Sequence, residues 1–520
     1  MLLESYGMKD LKYHIITLGC QMNHSDSERM SGVLEKHGMN YADEEQNADV
    51  VIINACSVRQ KAIDRIWGKL KELDKLKQTR PNRPLYTALT GCVLPSDRPL
   101  FAAKFDLWFP MKDLLKLPVM MEEILKTPPK TQVKTSTKKA HLPTIKELKS
   151  DRQIEYSKTD DNTQTESDKP LNPISQIPGA EEHYLQAMPK YSNKFSAFVP
   201  IMTGCNAFCT YCAVPYTRGR EVSRKPEEII MEVESLIARE YKEITLLGQI
   251  VNKYMVKADD SLISFIDNTL KKHGKTTKDI PELSDETLCT HKWFKFHHLL
   301  AVINAIQGDF WLRFTSSHPK WFSDELIETV VRSDKIPAHV HLPVQAGSNE
   351  VLKRMLRPYT IEEYLPIIRK IRNRIPDVSV TTDCIVGFCG ETDEEYAQTE
   401  ALFKEAKYDM AFIASYSPRP GTKAEQTLDD NVPIEVKKQR EKDLNEILRQ
   451  TALEYNQTYL DKDVRVLVTH TNDRGIFGRT GTNKNVKLKT DDNNPEELIG
   501  NFTRVKISEA TPWSLAGRIV

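Results

Sequence analysis

The 520-residue chain has no excess of either charge: 73 Lys and Arg balance 73 Asp and Glu, for a formal net charge of +0. No global field therefore gathers nucleic acid, and any RNA or DNA contact has to come from local patches. The chain also lacks an apolar run of about 18 residues, the minimum for a membrane-spanning helix. Its opening residues, MLLESYGMKD, lack the charged-then-apolar layout of a secretory signal. Without such a signal, nine cysteines read as metal or redox chemistry rather than a disulfide frame, and a reducing, cytoplasmic compartment is expected. Hydrophobic residues are few, at 39%, which points to polar insertions beside well-packed domains. At about 100–200 residues per domain, the length suggests roughly three.

A fourth cysteine is missing too. Cys205, Cys209 and Cys212 stand in TGCNAFCTYC with C-x3-C-x2-C spacing. Zinc sites and ferredoxin-type clusters are ordinarily closed by four thiolates. Either a fourth ligand comes from Cys289, Cys384 or Cys389, making a four-cysteine zinc site, or one iron of a [4Fe–4S] cube is left open. An open iron can bind the amino and carboxylate groups of S-adenosylmethionine (SAM). An electron entering the nearby sulfonium would then break an S–C bond and give a carbon radical. Chemistry of that type belongs to the cofactor, while the protein supplies position and excludes water.

What is present begins with a repeated pattern. KYHIITLGC, ADVVIINAC and LYTALTGC are apolar runs that end at Cys20, Cys56 and Cys92, each 36 residues from the next. Helical stretches separate them: SDSERMSGVLEKHG, with Ser25 as N-cap and Gly38 as the stop, and VRQKAIDRIWGKLKELDKLKQ. One strand–helix–strand unit takes about 30 residues. Each cysteine thus falls just past a strand end, where an open parallel sheet forms its ligand crevice. Three thiols far apart in sequence can converge there.

Residues 127–190 are Lys-, Thr- and Pro-rich, then polar and acidic, and read as a linker or surface insertion. From 191 to about 430, strand-then-loop units (FSAFVPIMTGC, EITLLGQ, FWLRFTSSHP, AHVHLPVQAGS, VSVTTDCIVGF) alternate with helices. This is the pattern of a β/α barrel or part of one. A second polar insertion, about 255–295, interrupts it. Residues 433–460 predict one long helix, with Val436, Leu444, Leu448, Thr451 and Tyr455 at helical spacing. Beyond 462 the period changes to two, predicting a small all-β barrel of about 60 residues.

The triad with Tyr211 before its third cysteine resembles the radical SAM superfamily. CNAFCTYCAVPYTRGREVSR, LLGQIVNKY, RFTSSHP, HLPVQAGSNEVLKRM, TTDCIVGFCGET and YSPRPGT resemble its methylthiotransferase branch. LGCQMN, NACSVRQKA and TGCVLP are similar to that family's second cluster-binding domain, and FGRTGTNKNVK with LIGNFTRVKI looks like an RNA-binding TRAM domain. NACSVRQKA and YCAVPYTRGRE are most similar to the MiaB-type tRNA enzymes. The chain departs from the family at Cys389, where Pro is usual, and at Ile250, where Asn is common.

The resemblance implies an α/β fold in three parts. They are an N-terminal parallel-sheet domain (10–126), a radical SAM β/α, partial TIM-like barrel (191–448) and a small OB-like β-barrel, the TRAM domain (449–520). It implies radical methylthiolation at C2 of N6-isopentenyladenosine next to the anticodon of tRNA. One SAM would methylate the cluster sulfur and a second would supply the radical. Cys205, Cys209 and Cys212 would hold the SAM-cleaving [4Fe–4S] cluster, and Cys20, Cys56 and Cys92 an auxiliary [4Fe–4S] cluster carrying the sulfur. Gln249, Gln345, Ser348 and Asp383 would meet SAM or the active site, against strand-end packing or turn capping as the alternative. Arg479 and Lys484 would contact tRNA phosphates, against an ordinary solvated surface. His318 and His341 are polar site candidates or structural histidines. Cys389 is an extra metal ligand or a small residue filling a proline's place. The implied partners are tRNA and an electron donor such as flavodoxin or ferredoxin, with no membrane, for a monomer. Two rivals stand beside this reading: the same chemistry on threonylcarbamoyl-adenosine or a ribosomal-protein aspartate, and a non-catalytic RNA-binding protein with zinc sites.

Overall fold

A computed structural model describes residues 8–57, 60–80, 82–130, 183–490 and 494–520. The N-terminal sheet is wholly parallel, in the order β2-β1-β3-β4-β5: β1 is Lys12–Leu18, β2 Asn40–Tyr41, β3 Val50–Cys56, β4 Tyr86–Cys92 and β5 Leu107–Trp108. Central strands buried on both faces read as near-continuous apolar runs, and VVIINAC is one, broken only by the buried Asn54. Alternate residues divide between two cores. Val50 and Ile52 pack with Met30 and Leu34 of helix α1 (Gln21–Lys36), while Val51, Ile53 and Ala55 pack with Ile66, Leu70 and Leu73 of helix α2 (Gln60–Thr79).

Helix α1 starts earlier than its sequence suggests. Cys20, not Ser25, is the N-cap, and its backbone amide donates to Asn23 Oδ1 at 3.2 Å to close the capping box. Ser25 lies inside the helix, wholly buried. Gly38 does follow the helix, in the left-handed region at φ +88°.

The expected linker over 127–190 lies mostly outside the described residues, but its end is folded. Tyr184, Leu185 and Ala187 are buried in the α1-side core. Arg29, also buried, donates to the carbonyls of Leu185 and Ala187 and makes a bidentate pair with Glu232 at 2.9 and 3.1 Å. Arg224 and Tyr191 donate to the same carboxylate. Burial pushes the Glu232 carboxyl up, but the two guanidiniums outweigh it and hold the pKa below the usual range. This buried cluster ties the first domain to the second.

The second domain has six parallel strands in two three-stranded sheets over one continuous core. β6 (Ser196–Pro200) pairs with β9 (Glu243–Leu247), and β9 with β12 (Trp311–Phe314); the short pair β7 (Met202–Thr203) and β8 (Val222–Ser223) frames the loop between them. The other sheet is β13 (His339–His341), β14 (Ser379–Val386) and β15 (Met410–Ser415). The polar insertion is a folded part of this domain. The antiparallel pair β10 (Met255–Lys257) and β11 (Trp293–Lys295) brackets a helix, Asp260–Lys272, whose Leu262, Ile266 and Leu270 join the main core. Within it, Asp285 caps a short helix through the Leu288 amide and accepts hydrogen bonds from His297 and His298 at 2.8 and 2.9 Å.

The long helix runs Ile434–Gln457, so the expected domain boundary at 449 falls inside it. A closed five-stranded barrel follows, in the order β16-β17-β18-β20-β19, with β16 Asp463–Asn472, β17 Gly475–Thr480, β18 Asn485–Lys489, β19 Phe502–Ala510 and β20 Leu515–Ile519. Among the described residues, no helix is long and apolar enough to cross a membrane.

Candidate functional site

The N-terminal thiols gather at the carboxyl ends of three adjacent parallel strands. Cys20 follows β1 and caps α1, and Cys56 and Cys92 end β3 and β4 directly opposite one another. Two buried asparagines fix this edge: Asn23 donates to Asn54 Oδ1 at 2.9 Å, and Asn54 returns a bond to the Asn23 carbonyl at 2.8 Å. Gly91 is needed beside Cys92. It sits at φ +103°, and a Cβ there would lie 2.2 Å from the Ala55 oxygen.

The second triad occupies the loop after β7. Gly204 starts it at φ +74°, where a Cβ would stand 1.9 Å from the Arg220 oxygen. The Cys205 amide donates to the Gly219 oxygen at 3.1 Å, closing the loop. The amides of Ala207 and Val214 point at the sulfurs of Cys205 and Cys212, at 3.4 and 3.5 Å. Burial pushes the Cys212 thiol up to about 12 and raises that of Cys205. The Cys92 thiol is raised too, first by its hydrogen bond with Cys56 and then by burial. Without metal these three groups therefore hold their protons at neutral pH, and ligation has to expel them.

Both triads line one cavity of about 540 Å³ between the domains, together with Arg218, Gln249, Ser316 and Arg357. Each triad also receives a guanidinium. Arg218 Nε donates to Cys92 Sγ at 3.1 Å, and Arg357 Nη1 donates to Cys209 Sγ at 3.4 Å. Arg218 comes from the second domain, six residues past Cys212, and reaches the first domain's sulfur. Its charge is met by buried Asp26 at 2.7 Å. Sequence reading passed over both arginines: Arg218 stands in the quoted YCAVPYTRGRE, and Arg357 lies two residues past the quoted HLPVQAGSNEVLKRM.

Each donor set has three thiols and no fourth, which suits an iron–sulfur cluster with one open iron better than a four-cysteine zinc site. Cys384 and Cys389 are buried off the cavity wall, and Cys289 lies in the insertion, donating to the Leu283 oxygen. None completes either triad. A tetrahedral zinc with bonds of about 2.3 Å brings its sulfurs within about 3.8 Å of one another. Among the described residues, only Asp285, His297 and His298 bring three ligating atoms within 4.8 Å of one another. Neither cysteine triad brings all three sulfurs that close, although Cys56 and Cys92 are near enough to share a hydrogen bond. Among the described residues, three buried polar atoms at the ends of β9 and β12 find no partner: Gln249 Oε1, Ser317 Oγ and His318 Nε2. Buried polar groups are rarely left unpaired, and Gln249 lies on the cavity wall itself.

The remaining sequence candidates are scattered. Gln345 is buried just past β13, at φ +72°, and bonds back to the Asp383 oxygen at 2.9 Å. Ser348 is the N-cap of the helix Asn349–Arg354, without a side-chain cap bond. Asp383 lies on β14, 3.6 Å from His341. Cys389 is a buried free thiol, and Ile250 is buried on the cavity wall. Arg479, whose side chain is 34% exposed, and Lys484, which is buried, both meet protein partners. Arg479 pairs with Glu243 at 2.6 Å, Lys484 with Asp409 at 3.0 Å, and Arg313 donates to the Gly481 and Thr480 carbonyls. These contacts dock the small barrel on the second domain, so the charges are already spent on protein partners.

Comparison with known proteins matches this layout. The Radical SAM superfamily model matches residues 199–403, the Uncharacterized protein family UPF0004 model residues 12–108, and the TRAM domain model residues 457–520. Two similar curated proteins carry the name tRNA-2-methylthio-N(6)-dimethylallyladenosine synthase. The one from Thermoanaerobacter pseudethanolicus is 37% identical over 98% of this chain and 93% of its own. The one from Carboxydothermus hydrogenoformans is 37% identical over 99% of this chain and 100% of its own. Among solved structures, the radical S-adenosylmethionine methyltransferase TsrM from Kitasatospora setae aligns over 80% of this chain and 74% of its own, at 12% identity and a TM-score of 0.47.

Proposed function

The chain belongs to the tRNA-2-methylthio-N(6)-dimethylallyladenosine synthase family, and from that premise we propose how its residues divide the work. It is a radical SAM tRNA methylthiotransferase. It adds a methylthio group to C2 of N6-isopentenyladenosine in tRNA. The observation that carries the division of labour is the single cavity lined by both cysteine triads.

Cys205, Cys209 and Cys212 hold the cluster that meets SAM, and Cys20, Cys56 and Cys92 hold a second, auxiliary cluster. When bound, the clusters and SAM supply the one-electron cleavage, the carbon radical and the sulfur. The chain's own part is to orient and to exclude water. Gln249, Ser317 and His318 offer SAM polar atoms that find no protein partner among the described residues. Burial, then Arg357, holds the His318 imidazole down to about 2, so it stays neutral and donates only from Nε2, because Nδ1 accepts from the Lys320 amide. Gln345, Ser348 and Asp383 serve the barrel interior. On the small barrel, exposed Arg474 and Lys487 and the stacked His470–Phe477 pair are suited to RNA. A flavodoxin- or ferredoxin-type donor supplies electrons, and the chain works as a monomer.

Iron and sulfide counting after anaerobic reconstitution tests the two-cluster reading. Wild type is expected to hold about eight irons, and a Cys205/Cys209/Cys212→Ala variant about four. A colourless, zinc-loaded protein without SAM cleavage would overturn it. Nucleoside analysis of tRNA from a deletion strain tests the substrate. Persistence of the 2-methylthio-isopentenyl nucleoside there would shift the assignment to threonylcarbamoyl-adenosine or a ribosomal-protein aspartate.

A further inference from the structure

Strand side chains alternate between two faces, and β13–β15 use theirs very differently. One face, with Val340, Val380, Cys384 and Ala411, is buried in the domain core. The other carries His339, His341, Thr381, Asp383 and Phe412. Parallel sheets are normally covered on both sides, yet Phe412 is 61% exposed on this second face. Asp383 is its direct cross-strand neighbour. The His341 ring stands edge-on to Phe412 with centroids 6.2 Å apart.

The polar groups around that ring are ordered but not used up. Thr381 Oγ1 joins His339 Nε2 at 3.1 Å and His341 Nδ1 at 3.0 Å, and His341 Nε2 stands 3.6 Å from Asp383 Oδ2. Among the described residues, no Lys or Arg forms an ion pair with Asp383. A flat apolar ring thus lies beside an acceptor that has only a long contact to a histidine.

This face communicates with the cluster cavity through the loops that follow its strands. Tyr359 donates to the Val344 carbonyl just past β13 at 2.7 Å, two residues from Arg357 of the cavity wall. Past β14, Phe388 meets the ring of Tyr211, which also lines the cavity, at 6.4 Å.

We propose that this face is the seat of the substrate adenine, with Phe412 as its stacking surface and Asp383 accepting a hydrogen bond from the exocyclic N6–H. The proposal rests on the tRNA reading above and names the site within it. Base–aromatic stacking tolerates any π-face, so Phe412 holds the ring while Asp383 sets its orientation. SAM carries an adenine as well. The solvent exposure of Phe412 favours a base delivered from outside over a cofactor enclosed between the domains.

The test uses the reconstituted full-length enzyme and anticodon stem-loop RNAs, either intact or abasic at the modified position, with affinity read by anisotropy. Wild type should prefer the intact RNA by about tenfold or more. Phe412→Ala should abolish that preference, Phe412→Trp should keep it, and none of the three should differ on abasic RNA. SAM affinity measured without RNA should be unchanged in both variants. Asp383→Ala should weaken intact RNA alone. If Phe412→Ala keeps the wild-type preference, or weakens SAM instead, the proposal is overturned while the tRNA reading stands. If wild type itself ignores the base, the tRNA reading fails first.

Discussion

Arg218 offers the most demanding test, because one side chain serves both domains. Its guanidinium is only 5% exposed, and its partner Asp26 is fully buried. Arg218→Met leaves that carboxylate buried and unpaired, and breaking such a pair costs about 3–5 kcal/mol. Asp26→Leu strands the guanidinium at a similar cost. The double variant Arg218→Met/Asp26→Leu removes both charges, and apolar replacement of a buried pair is often near neutral, so it should recover most of the loss. The coupling energy in this double-mutant cycle is then about 3 kcal/mol or more. Anaerobic chemical denaturation of the metal-free proteins measures it. The double variant still lacks the N–H···S bond to Cys92. In a background without Cys205, Cys209 and Cys212, the remaining cluster should therefore titrate at a lower reduction potential, since a donor to a ligating sulfur favours the more negative, reduced state. Simple addition of the two single losses, or an unchanged potential, would refute the reasoning.

Other perturbations follow from the same geometry. Gly91→Ala forces a side chain into a left-handed position against the Ala55 oxygen, at about 1–3 kcal/mol; iron analysis should show the auxiliary share falling while the SAM-cleaving share remains. Burial, then His297, lowers the His298 imidazole from 6.5 to about 4. The unfolded chain therefore takes up the proton first, and stability present above pH 6.5 is lost as pH falls towards 4, by about 3 kcal/mol. Denaturation at stepped pH should show that slope in wild type and a flatter one in His298→Gln; equal slopes would count against it. Arg479→Ala should loosen the small barrel without changing the salt dependence of RNA binding. Lys487→Ala should reduce the slope of log affinity against log salt by about 0.7.

The first triad was legible because the strands that carry it are apolar runs and a parallel sheet puts successive strand ends side by side; the second was legible from its C-x3-C-x2-C spacing within one loop. Much of what surrounds them was not. Helix α1 buries Asn23, Ser25, Asp26, Glu28 and Arg29, so hydrophobic periodicity reads its inner face as solvent-facing and misplaces its start. β15 escaped as a separate strand because Phe412 and Ala414 are exposed and only Ala411 is fully buried, leaving no clean alternation to read. The insertion's polar composition hid Leu262, Ile266 and Leu270, a four-residue spacing that packs one helix face. Arg479 and Lys484 lie on a basic strand-turn-strand stretch that looks solvated; only the docked domain reveals Glu243 and Asp409 opposite them.

Several of those misses share a physical cause. Local pattern predicts what an element presents to its own domain, while Asp26, Glu28, Arg29, Arg479 and Lys484 face another domain. Arg29, Arg224 and Glu232 between the first two domains, Arg218 with Asp26, and Arg313 with Glu243 and Arg479 at the small barrel are all buried charge clusters across domain boundaries. Apolar contacts of the same area are non-directional, whereas a bidentate carboxylate–guanidinium pair fixes orientation as well as distance. Two three-thiol sites that share one cavity require that kind of restraint. A rotation of either domain would carry one triad out of reach of the other while leaving each domain's own core intact. The charge clusters thus account for the chain's placement of polar residues in its interior: they set the spacing at which two separately held thiol sets face a single space.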